Sequence, residues 1–148
     1  MKKRLNKEIE DKIQALGKKG REAWHRGNIE QAEEAFIQCW TAIPEPKLEY
    51  DYSQILSKGM VKFFRGTTQI EKATQWINIM REAYGPETDL DVEFLAATVH
   101  YEANELDAAY VIFRAQYETF GIRPFDGEDK KYLEFTINRT KEEKHATF

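Results

Sequence analysis

The sequence predicts an all-α protein in which antiparallel helix pairs stack as a short solenoid of about seven helices. Three observations carry this expectation. Apolar residues recur at steps of three and four along most of the chain, and period-two alternation is nearly absent. Glycine, proline and capping residues interrupt that pattern at short intervals. One arrangement of small, aromatic and aliphatic residues returns three times, at distances typical of helical repeats.

The first helix is predicted from about Lys3 to Arg26, with Leu5, Ile9, Ile13, Leu16, Gly20, Ala23 and Trp24 on its apolar side. Gly27-Asn28 breaks it, and Asn28 with Gln31 three residues on reads as the capping box of the next helix. That helix buries Ile29, Ala32, Phe36, Cys39 and Ile43 and stops at Pro44. A third helix runs from about Lys47 to Phe64 and ends at Arg65-Gly66. Thr68 with Glu71 caps a fourth, carrying Ile70, Ala73, Ile77, Met80 and Tyr84 up to Gly85-Pro86. Thr88 opens a fifth, to about Ala103, and Asn104 with Asp107 starts a sixth that holds Leu106, Ala109, Phe113, Tyr117 and Phe120. Gly121 suits a left-handed C-terminal position. A final helix covers about Gly127 to Arg139, and residues 141–148 read as a frayed polar tail. The expectation is a single domain over residues 1–140 whose short connections make neighbouring helices antiparallel.

The repeat is chemical. Each first helix offers a slim residue and an aromatic four later: Gly20 and Trp24, Gly59 and Phe63, Ala97 and Tyr101. Each second helix offers an aliphatic, an alanine and a bulky residue: Ile29-Ala32-Phe36, Ile70-Ala73-Ile77, Leu106-Ala109-Phe113. Two helices approach closely only where one contributes Gly or Ala, and stacked pairs bury the faces a single pair leaves open. The stretch Gly20…Ala23-Trp24…Gly27-Asn28-Ile29…Ala32…Phe36, followed by Pro44, resembles a tetratricopeptide repeat, as does Asn104-Glu105-Leu106…Ala109…Phe113. The resemblance spans residues 10–121, with repeats at about 10–44, 47–86 and 88–121 and a capping helix at 127–139. It implies a right-handed superhelix. The second repeat differs in an apparent two-residue insertion at Thr67-Thr68-Gln69, and the third uses Asn104 where the first has a glycine.

Composition narrows function. The 148 residues are 41% hydrophobic and 32% charged, a globular balance. A net charge of −4 argues against nucleic acid as a partner. The first twenty residues carry +4 and the remainder −8, so the body suits a basic partner; a solvated helix face gives the same composition. The single cysteine, Cys39, excludes an internal disulfide. No apolar run reaches the ~18 residues of a membrane span, and no apolar stretch follows the basic start. A cytoplasmic protein, away from membranes, is the expectation.

The sequence offers no chemistry of its own. His25, His100 and His145 share no metal-ligand spacing with one another or with Cys39. Cys39 falls on an apolar stripe as a packed thiol. Glu30, Glu33 and Glu34 read as a solvated face, Asp126, Glu128 and Asp129 as the acidic first turn of the last helix, and Lys18-Lys19-Gly20-Arg21 as mid-helix cations. No cofactor, no metal and no enzymatic activity are expected. In tetratricopeptide arrays the first helices line a concave, ligand-facing side. The resemblance carries that role to Arg21 and His25 in the first repeat, Leu56, Met60 and Phe64 in the second, and Phe94, Thr98 and Glu102 in the third. The groove would be cationic at one end, apolar in the middle and acidic at the other. The carboxylate clamp that some family members use needs several Lys, Arg and Asn residues there, and only Arg21 fits.

The segment 123–135 is dense in aromatics, and its Phe125, Tyr132, Leu133 and Phe135 cannot all face one way. It resembles the ends of small bacterial repeat proteins, some of which accompany toxins. The expected function is a module that holds a peptide or a folded protein, in its sharper form an immunity protein that neutralises a toxin. The alternative is a secretion-type chaperone cradling an unfolded client; an enzyme ranks third. A monomer or weak homodimer fits either.

Overall fold

Helix signals dominate the chain, and the computed structural model, which describes residues 1–146, is all-helical. Its seven α-helices among the described residues are α1 (Lys7–His25), α2 (Ile29–Ala42), α3 (Tyr52–Gly66), α4 (Ile70–Tyr84), α5 (Leu90–Glu102), α6 (Leu106–Phe120) and α7 (Lys130–Ala146). Packed antiparallel pairs, α1 with α2, α3 with α4 and α5 with α6, give a solenoid-like architecture. The chain divides into two compact units, Met1–Glu87 and Thr88–Phe148.

The three pairs share one turn. Gly27, Thr68 and Asn104 all take positive φ, at 82°, 62° and 62°. In each turn that residue's N–H donates to the carbonyl three back, and the next N–H donates to the carbonyl five back: Asn28 to Ala23 (2.8 Å), Gln69 to Phe64 (2.8 Å), Glu105 to His100 (2.8 Å). This double closure satisfies carbonyls that the helix end leaves unpaired. The capping boxes predicted at Asn28 and Thr68 do not form, and Asn104 does not cap α6. Asn28 makes no side-chain cap bond, and the other two are the left-handed residues that end the preceding helix. The turn of the second repeat holds three residues like the others, so it contains no insertion.

In unit Met1–Glu87 the first pair packs tightly at Gly20, where a Cβ would stand 2.6 Å from the Phe36 ring. Trp24, Phe36 and Phe63 meet edge to face, with Trp24 and Phe63 centroids 5.0 Å apart. A second cluster gathers Leu5, Ile13, Cys39 and Ile43. Leu5 reaches it from outside α1, because the chain before Lys7 is extended and the Asn6 side chain caps the helix by accepting from the Ile9 N–H (2.9 Å). Lys3 pairs with the segment entering α3: its N–H donates to the Glu49 carbonyl (2.7 Å) and its carbonyl accepts from the Asp51 N–H (2.9 Å). Lys47–Glu49 is a 3₁₀ turn, so the third predicted helix begins five residues late, at Tyr52.

In unit Thr88–Phe148, the middle of α5 is buried on every face: Val92 and Phe94 through Val99 are all buried, and the polar Asp91, Glu93, His100 and Glu102 fall toward its ends. Asp89, not Thr88, caps it, accepting from the Val92 N–H (3.0 Å). Phe94, Phe113, Phe125 and Tyr132 form the core, with Tyr101 and Phe135 packed against it. The aromatic density of residues 123–135 is thereby explained: Phe125, on a 3₁₀ turn, and Tyr132, on α7, close the open side of the α5–α6 pair. The last helix continues to Ala146, past the predicted stop at Arg139. Of the tail expected at 141–148, residues 147 and 148 lie outside the described residues.

Candidate functional site

The shared turn fixes which residues of the repeats correspond. Counting back from Gly27, Thr68 and Asn104, Arg21 matches Lys62 and Thr98, and His25 matches Gly66 and Glu102. The sequence-based alignment had matched Arg21 with Met60 and His25 with Phe64, two residues away. Two residues turn about 200° around an α-helix, so that slip exchanged one face of α3 for the opposite one. The structure accordingly buries Met60 and Phe64. They belong to the core and offer a partner no surface.

The remaining candidates divide. Arg21 and His25 are exposed on α1. Leu56 is half-buried against the cluster around Ile13 and Cys39. Phe94 and Thr98 are buried in the middle of α5; Phe94 packs on Phe113 and Phe125, and the Thr98 hydroxyl donates to the Leu95 carbonyl (2.6 Å). Glu102 accepts from the Tyr132 hydroxyl (2.8 Å) and pairs with Lys131, so it braces α7. Gly59, matched with Gly20 on sequence, is exposed and a Cβ there meets nothing; the structural equivalent of Gly20 is the buried Val61.

A surface strip on unit Met1–Glu87 emerges from this register. α1 and α3 run side by side in the same direction. Near their starts the Gln14 side-chain amide donates to the Tyr52 hydroxyl (3.1 Å), and near their ends Trp24 lies against Gly66, 3.0 Å from where a Cβ would stand. Between these two contacts lie Lys18 and Arg21 on α1 and Ile55, Gly59 and Lys62 on α3, with His25 just past the second, all exposed. Ile55, Gly59, Lys62 and Gly66 follow one another at helical spacing along a single stripe. Ile55 is 61% exposed. Among the described residues no carboxylate lies within ion-pairing distance of Lys18, Arg21 or Lys62. α3 holds Lys58, Lys62 and Arg65 and no acidic residue at all. Lys62, Gly59 and Ile55 were missed on sequence; the signal that locates them is the spacing of the three turn residues.

Charge divides between the units. Residues 1–87 carry 15 Lys and Arg against 13 Asp and Glu, a net +2, whereas residues 88–148 carry 7 against 13, a net −6. Two surface hollows of the second unit are lined by described residues. One, about 360 Å³, is lined by Tyr110, Val111, Arg114 and Glu143, and its polar groups satisfy one another: Arg114 pairs with Glu118 and Glu143 at 2.8 Å, and the Tyr110 hydroxyl donates to Glu143 at 3.0 Å. The other, an open groove of about 560 Å³, runs along α7 past Tyr101 and Leu106.

Cys39 is buried and its thiol donates to the Ile13 carbonyl (3.5 Å). Burial pushes the thiol above its ordinary range, against a smaller opposing pull from the Arg21 charge. Among the described residues no three His, Cys, Asp or Glu side chains come together in a way that could hold a metal ion, and no helix is long and apolar enough to cross a membrane. Comparison with protein-family models, with curated proteins and with solved structures finds no match for this chain.

Proposed function

We propose that the chain is a non-catalytic, tetratricopeptide-type binding module that holds a segment of another protein against the α1–α3 strip. The observation that carries this reading is the pairing of unpartnered cations with an open floor. Arg21 and Lys62 stand at equivalent places in successive first helices, and the exposed Gly59, one turn before Lys62, lets a ligand backbone approach α3 closely. Exposed Ile55 and half-buried Tyr52 supply apolar area at one end. Such a strip selects a segment that presents acidic side chains with an apolar anchor, since complementary charge sets orientation and encounter rate while apolar contacts hold the complex.

The test is capture of the partner from the native host by the tagged chain, identified by mass spectrometry, beside Arg21→Glu/Lys62→Glu and Gly59→Glu variants. All three positions are exposed, so the variants keep the fold. One dominant partner that both variants lose supports the reading. A folded toxin as that partner supports neutralisation, and many extended clients support chaperoning. Retention of the same partner by both variants contradicts the proposed strip.

A further inference from the structure

We infer that the groove along α7 is a second docking site, for a basic amphipathic helix of another protein. The inference does not depend on the α1–α3 strip; it rests on a different unit with opposite charge.

The groove has a mixed lining: Tyr101, Leu106 and Phe135 give it apolar area, and Leu106 is 36% exposed. Two cations also line it, and both are already held, Lys131 by Glu102 and Arg139 by Asp107 (2.6 Å). What remains on the rim is acceptor chemistry. Glu134, Asn138 and Glu142 line the groove and are exposed, and among the described residues no cation lies within ion-pairing distance of either carboxylate. The unit around them carries a net −6. An anionic segment is repelled by that field, and a basic one is drawn to it.

Spacing defines the ligand further. Glu134 and Glu142 are eight residues apart on one helix, about 12 Å at 1.5 Å per residue, too far to chelate a single ion. They match two cationic side chains about two turns apart on an opposing helix, with aliphatic side chains between them facing Leu106 and Phe135. An amphipathic helix laid in an apolar groove is an established mode of peptide recognition, and acidic rims give it direction.

Fluorescence anisotropy with the full chain tests this. The probe is a labelled 14-residue helix of leucines and alanines with lysines two turns apart. Binding that weakens with added salt is expected, together with a loss of about tenfold or more in Glu134→Lys/Glu142→Lys and in Asn138→Arg. Arg21→Glu/Lys62→Glu should bind the probe as the unaltered chain does, which separates this site from the α1–α3 strip. Unchanged affinity in the α7 variants overturns the proposal. So does equal binding of a leucine-free lysine peptide, which reports a merely acidic surface. A concentration-dependent dimer in sedimentation that the α7 variants abolish assigns the groove to a second copy and also overturns it.

Discussion

A Cβ on Gly20 would stand 2.6 Å from Cε1 of Phe36, so the first helix pair closes only because position 20 lacks a side chain. No such demand exists at Gly59, where a Cβ meets nothing. Gly20→Leu should therefore overpack the pair and lower stability by about 1–3 kcal/mol. Gly59→Ala removes a mid-helix glycine from an open face and should raise stability by about 0.5–1 kcal/mol. Urea denaturation followed by circular dichroism reads both; equal shifts at the two positions would count against the repeat register.

Thr68 is β-branched and exposed, yet sits at φ 62° to close the α3–α4 turn. Left-handed backbone costs a non-glycine residue about 1–2 kcal/mol. Thr68→Gly should recover about 1 kcal/mol of this, and Asn104→Gly less, since asparagine tolerates the conformation better. A fall in melting temperature for Thr68→Gly would mean that the threonine makes a contact outweighing its backbone conformation.

Phe113 is fully buried and meets the rings of Phe94, Phe125, Tyr132 and Phe135. Truncating a core phenylalanine to alanine costs about 3–5 kcal/mol. Phe113→Ala should therefore abolish the near-ultraviolet signal of these aromatics or release it at much lower denaturant. Retention of the native midpoint would show that α7 does not close this core.

Burial raises the Cys39 thiol above its ordinary value of 9.0. The folded state thus binds that proton more tightly than the unfolded one. The associated stability is present below about pH 9 and is lost as pH rises through the folded value. The thiol should be inert to an aromatic disulfide reagent at pH 8 in the native protein and react fully in denaturant. Rapid native-state modification would contradict its place between α1 and α2.

Periodicity was enough to locate every helix, because each buries an amphipathic or wholly apolar surface whose spacing survives in sequence. Helix ends were less legible. Asn28, Thr68 and Asn104 have the composition of N-caps, but the preceding helix uses Thr68 and Asn104 as left-handed stops, and local composition does not distinguish the two roles. That ambiguity decided the site. Reading Thr67-Thr68-Gln69 as an insertion shifted α3 by two residues and put the buried Met60 and Phe64 where the exposed Lys62 and Gly66 stand. The register of α1 was legible because Gly27 marks its turn unambiguously, and Arg21 and His25 are exposed on it. The α7 groove was invisible for a different reason: Glu142 lay in a segment read as tail, and Leu106 was counted wholly as core.

Hydrogen–deuterium exchange on the complex with the captured partner tests the central claim most directly. Added protection concentrated in residues 14–25 and 55–66, and absent in the Arg21→Glu/Lys62→Glu variant, is the predicted result. A partner that binds fully while leaving both segments at their free-state exchange rates would contradict the account.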